Sequence, residues 1–135
     1  MASNLLAFMV AQALALPLPA DSSSSHRKPI QRTISVTDES LSTVPEIHVG
    51  ADWPTTLVFA TPLAKDNQAV MLAQPGHEFA PPRFTDTSVI LIPRKDLPAN
   101  GGAALTVTLS DGNILSFKLV SVASDVDLRV DVQRG

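Results

Sequence analysis

The three histidines of the chain, His26, His48 and His77, are the side chains best suited to moving protons or holding a metal near neutral pH. Their spacing does not gather them. His26 falls in a serine-rich stretch, His48 sits opposite Ile47 and Val49 in a short strand pattern, and His77 follows the turn pair Pro75-Gly76. No two share a helix face or a close strand spacing, so a histidine metal site finds no support, and a solvated His48 is the expectation. Asp125, Asp127 and Asp131 recur on one face of a strand pattern and could offer oxygens to calcium. That ion wants roughly six to eight oxygens, usually from a loop that folds around it, and Arg129 interrupts the row. Asp111-Gly112-Asn113 resembles a fragment of a calcium loop, yet a hairpin turn explains each of its residues.

Nucleophilic and phosphate chemistry fare no better. The serines stand in no Gly-x-Ser-x-Gly elbow, Gly101-Gly102 is an isolated pair ahead of a strand pattern, and Asp38-Glu39 lies in a polar connection with nothing to set one carboxyl as acid and the other as base. No catalytic residue, cofactor or metal ligand is expected, and the chain reads as non-enzymatic. A second reading is a small hydrolase or carbohydrate-processing enzyme whose loop-borne site would need His77, Glu78 and a further carboxylate to converge.

The residues that remain are suited to contact. Trp53, beside Pro54 and after Gly50-Ala51-Asp52, is the one large side chain in a turn. It is either a binding anchor, as tryptophans often are at interfaces, or a lid folded over the end of a core. The proline-rich loops Gly50–Pro54 and Gln74–Pro82 are the candidate interaction surface, with Trp53, Pro54, His77 and Glu78 as its residues.

Composition narrows the classes further. The formal net charge is −3, and the densest basic run is His26-Arg27-Lys28 with Arg32, which reads as a solvated N-terminal segment and offers no field for holding phosphates. With one Trp, five Phe and no Tyr, a stacking platform of several rings is disfavoured, so the expected partner is a protein and not a nucleic acid. The absence of cysteine excludes disulfides, thiolate nucleophiles and thiolate zinc sites.

Residues 1–20 carry no charged side chain and hold an apolar block, Leu5 to Ala11, followed by small residues. A run of that length is too short to span a bilayer as a helix and fits the central region of a secretory signal, with cleavage expected between Ala13 and Ala20. Its start departs from the pattern, since Met1-Ala2-Ser3-Asn4 has no Lys or Arg. The alternative is an interaction helix of a cytosolic regulatory domain. Residues 21–29, with four consecutive serines, read as a flexible linker, and residues 30–135 as one domain.

Within that domain, apolar and polar side chains alternate with period two, most clearly from Leu105 to Val132. Strand patterns also cover Ile30 to Val36, Val44 to Val49, Thr55 to Phe59, Ala69 to Leu72 and Ser88 to Ile92, while Glu78 to Phe84 carries Pro81-Pro82 and reads as a loop or sheet edge. The continuous apolar run at Ser88 to Ile92 suggests burial on both faces or a central position. About eight short strands make an all-β fold, an antiparallel β-sandwich after an N-terminal leader, with a small open barrel as the other solution. The last strand is expected to turn Val126, Leu128, Val130 and Val132 inward and Asp125, Asp127, Arg129 and Asp131 outward as charges guarding an edge.

The leader running into Leu16-Pro17-Leu18-Pro19-Ala20, the strand Val44 to Val49, the segment Thr55 to Leu63, the stretch Leu105 to Gly112 and the closing Asp125-Val126-Asp127 with Val130 together resemble the N-terminal part of a paralogous family of exported proteins of unknown function from myxobacteria. The resemblance covers nearly the whole chain. It implies export and a β architecture in a shortened or minimal paralogue, and it brings no catalytic residues.

Overall fold

The computed structural model describes residues 27–36, 44–99 and 101–134. Among them run nine strands and no helix: β1 (Lys28–Val36), β2 (Glu46–His48), β3 (Thr55–Phe59), β4 (Val70–Ala73), β5 (Arg83–Phe84), β6 (Ser88–Leu91), β7 (Ala103–Thr108), β8 (Ile114–Val120) and β9 (Asp125–Arg134). The expected leader and residues 21–26 of the expected linker, with His26, lie outside the described residues, as does the Asp38-Glu39 connection.

Period-two alternation dictates the layers. Leu57, Phe59, Val89, Leu91, Val130 and Val132 come from one sheet and Ile47, Leu105, Val107, Leu115, Phe117 and Leu119 from the other, and they form a single buried cluster. Phe59 and Phe117 meet edge to face across the layers with ring centroids 6.2 Å apart, a geometry the aromatic quadrupole favours. The result is an all-β sandwich with strand orders β1-β9-β3-β6-β5 and β2-β8-β7-β4.

The sheets are mixed, where alternation alone suggested purely antiparallel pairing. β1 and β3 both run parallel to β9, and β2 runs parallel to β8. The cause is connectivity. β7 and β8 form the hairpin signalled by Asp111-Gly112, with Gly112 at φ 90° and Gly112 N–H donating to the Leu109 carbonyl at 3.0 Å. Residues 121–124 then carry the chain from that sheet to the other, so β9 enters between strands that are not its sequence neighbours.

β9 is therefore a central strand, not a guarded edge. Its pairing with β1 slips between Ile30↔Asp127 and Gln31↔Arg129, which leaves Leu128 as the extra residue of a bulge. The bulge resets the alternation. Leu128 is exposed and Asp127 is fully buried, the reverse of the expected rows, while Val126, Val130 and Val132 are buried as expected. β6 also differs: Val89 and Leu91 point into the core, but Ser88 and Ile90, on the other face of the strand, are only half-covered, as Thr56 and Val58 are on β3.

Candidate interaction surface

Two loops and one strand end build the tip of the sandwich that precedes β3 and follows β4. In the first loop, Trp53 N–H donates to the Gly50 carbonyl at 3.1 Å, and Asp52 takes φ 68°, a left-handed conformation that aspartate tolerates better than most residues. In the second, Gly76 N–H donates to Glu78 Oε1 and Phe79 N–H to Gln74 Oε1, both at 2.9 Å, so side chains close the turn from within.

Both loops land on the chain leaving β6. Asp52 N–H donates to the Pro93 carbonyl at 3.3 Å, Phe79 bridges Pro93, and Arg94 N–H donates to the Glu78 carbonyl at 2.7 Å. The structure thus brings the Trp53-Pro54 loop and the His77-Glu78 loop to one end of the molecule. Trp53 is half-buried, Pro54 and His77 are exposed, and Glu78 is 6% exposed. Arg94 and Lys95, which no local sequence pattern singles out, are exposed on the same stretch of chain.

Beneath this tip lies a buried cation. Arg27 is 5% exposed. Its guanidinium donates to both carboxylate oxygens of Asp96 at 2.9 Å, and its Nε–H donates to the Val122 carbonyl at 2.7 Å. Ala51 N–H adds a bond of 2.8 Å to Asp96 Oδ1. The Arg27 guanidinium beside Asp96 holds its carboxyl below the ordinary value of 3.8, helped by the Ala51 bond and opposed by partial burial. The side chain crosses so close to Gly50 that a Cβ there would stand 2.5 Å from Arg27 Nη1, so the tip needs glycine at that position. Arg27 is thus a buried bolt between three loops, where its basic neighbourhood suggested a solvated segment.

A second polar cluster ties β2 to the opposite sheet. Arg32 grips Asp127 through Nε at 2.9 Å and Nη2 at 3.0 Å, and also donates to the Glu46 carbonyl. His48 N–H donates to Asp127 Oδ2 at 2.8 Å, and Thr55 Oγ1 donates to the Asp127 carbonyl at 2.6 Å. His48 Nδ1 lies 2.5 Å from Asp125 Oδ1. His48 is therefore half-buried and engaged, contrary to the solvated residue expected of it. The acidic row is dispersed by these partners, with Asp131 paired instead to Arg129 at 3.0 Å. Among the described residues no group of three or more His, Cys, Asp or Glu is placed to hold a metal ion.

No helix among the described residues is long and apolar enough to cross a membrane. No curated protein matches the chain. The family described as a protein of unknown function, DUF2381, matches residues 12–135, which take in every strand and both loops of the tip. The chain belongs to the DUF2381 family.

Proposed function

We propose that this protein is a non-enzymatic binding module of the bacterial periplasm or cell envelope, exported by its leader and acting through protein contact at the tip. The observation that carries the reading is the convergence of the Gly50–Pro54 and Gln74–Pro82 loops on Pro93 and Arg94. Exposed Pro54, His77, Arg94 and Lys95 and half-buried Trp53 are thereby carried on backbone that is tied together at one end of the molecule. Prolines and backbone bonds order these loops before any partner arrives, which lowers the entropy cost of association. The apolar leader pattern and the resemblance to exported paralogues support the compartment.

The tip suits contact better than hydrolysis. The Glu78 carboxylate accepts from Gly76 N–H as part of the turn and is 6% exposed, so it serves the loop's own structure, while neighbouring His77 is exposed. Two measurements test the reading. N-terminal sequencing from the fractionated native host is expected to find a mature start between residues 14 and 21 in an envelope or periplasmic fraction, and an intact Met1 in the cytosol overturns export. Crosslinking in that host, comparing the wild-type chain with Trp53→Ala, is expected to lose the captured partner in the variant, and an identical partner set removes the tip from the function.

A further inference from the structure

We propose that the end of the sandwich opposite the tip is a small saccharide-binding site. Trp53 and Pro54 precede β3, whereas the site lies past its other end, so the proposal stands independently of the tip. An open bowl of about 370 Å³ is formed there by the loop after β3 and the turn joining β5 to β6. That volume matches the lower range of small-ligand pockets. Leu63 and Ala64 line its apolar part, and Phe84, half of whose surface is exposed, contributes an aromatic wall.

Both loops are fixed before any ligand binds. Leu63 N–H donates to the Asp86 carbonyl at 2.8 Å, Ala64 N–H to the Thr108 carbonyl at 3.0 Å, and Ala69 N–H to the Asp66 carbonyl at 3.0 Å. Thr85 and Ser88 hydroxyls bond each other at 2.7 Å and close the opposite turn. These bonds consume backbone groups and the two hydroxyls. The side chains of Lys65, Asn67 and Asp86, all exposed, make no hydrogen bond or ion pair among the described residues, and they stand around the rim. A cation, an amide and a carboxylate beside one exposed ring offer donors and acceptors around an apolar face.

A hexose or N-acetylhexosamine ring has matching chemistry: a C–H face for the negative face of Phe84 and a girdle of hydroxyls that both donate and accept. Other occupants fit less well. β5 has two residues and follows Pro81-Pro82, too short and too proline-bound to receive an added peptide strand. Asp66 and Asp86 outnumber Lys65 in the bowl, which disfavours phosphate-bearing ligands. The scarcity of aromatics argues against a long stacking platform, but one sugar unit needs one ring.

The test is a heteronuclear NMR titration of the full chain with N-acetylglucosamine, its β-1,4-linked trimer and cellotriose, to about 10 mM, an order of magnitude above a 1 mM dissociation constant. The expected result is shifts confined to residues 63–67 and 84–87 with at least one sugar. Phe84→Ala, at an exposed position, should keep the remaining spectrum and weaken binding about tenfold. Asp86→Asn, which spares the structural carbonyl, should weaken binding while the Leu63 amide resonance stays in place. The absence of shifts with all three sugars, shifts mapping elsewhere, or undiminished binding by Phe84→Ala would overturn the site.

Discussion

The Arg27 guanidinium holds both carboxylate oxygens of Asp96 across 69 residues of sequence, and the two partners are unequally exposed: 3% of the Arg27 side chain and 39% of the Asp96 side chain. Asp96→Ala strands a buried charge, and the expected cost is about 3–5 kcal/mol. Arg27→Met fills much of the same space and leaves Asp96 with water and the Ala51 N–H, for about 1–2 kcal/mol. Urea midpoints of the two variants should separate in that order, and equal midpoints would show that the pair is not bolted as described.

The same pair sets an acid limb. A carboxyl whose folded value lies below its ordinary 3.8 contributes stability above that pH and loses it as pH falls through the folded value. Asp96→Asn is expected to lower stability at neutral pH and to flatten its decline below about pH 4. Chemical denaturation at a series of pH values reads the slope, and an unchanged acid limb in Asp96→Asn refutes the assignment.

Gly50 is constrained by that side chain and not by its own backbone angle. A Cβ would stand 2.5 Å from Arg27 Nη1, and the guanidinium cannot swing away without losing Asp96 and Val122. Gly50→Ala should therefore cost about 1–3 kcal/mol in the wild-type chain and well under half of that with Arg27→Met already present. A double-mutant cycle measures the difference, and additivity of the two changes would remove Arg27 as the cause.

In the second cluster the exposures are reversed. Asp127 is fully buried and Arg32 is 36% exposed, so here the carboxylate is the group that must not be stranded. Arg32→Met leaves the Asp127 carboxylate, among the described residues, with the His48 N–H alone, for an expected loss of about 3–5 kcal/mol. Asp127→Asn preserves the shape and an acceptor for His48 while Arg32 turns to water, for about 1–2 kcal/mol. Thermal denaturation of both variants should rank them in that order.

What sequence makes legible follows the range of the forces involved. Alternation is local, so the strand patterns, the Asp111-Gly112 hairpin and the edge character of residues 78–84 could be read from neighbours a few positions apart. Strand direction could not, because it depends on which sheet each connection enters, and parallel pairing of β1 and β3 with β9 joins distant segments. Burial of Arg27 and Asp127 rests on partners 69 and 95 residues away, and no local pattern marks a charge that will be paired at that distance. The tip was half legible. Its loops are recognisable from Pro, Gly and Trp, but their convergence depends on Pro93, which no local pattern marks as their meeting point.

The bulge in β9 separates the structure most sharply from plain alternation. Strict period two turns Leu128 inward with Val130, whereas the slip between Ile30 and Gln31 exposes Leu128 to 37% and leaves Val130 fully buried. Leu128→Ala removes a side chain that water already reaches, and should cost less than about 1 kcal/mol. Val130→Ala opens a void under a central strand flanked by β1 and β3, and the smaller truncation should still cost about 2 kcal/mol. Normal alternation would invert the ranking, since leucine loses more buried surface than valine when cut to alanine. Denaturant midpoints of these two variants therefore decide whether β9 carries its extra residue at position 128, and with it whether Asp127 is delivered to Arg32 inside the fold.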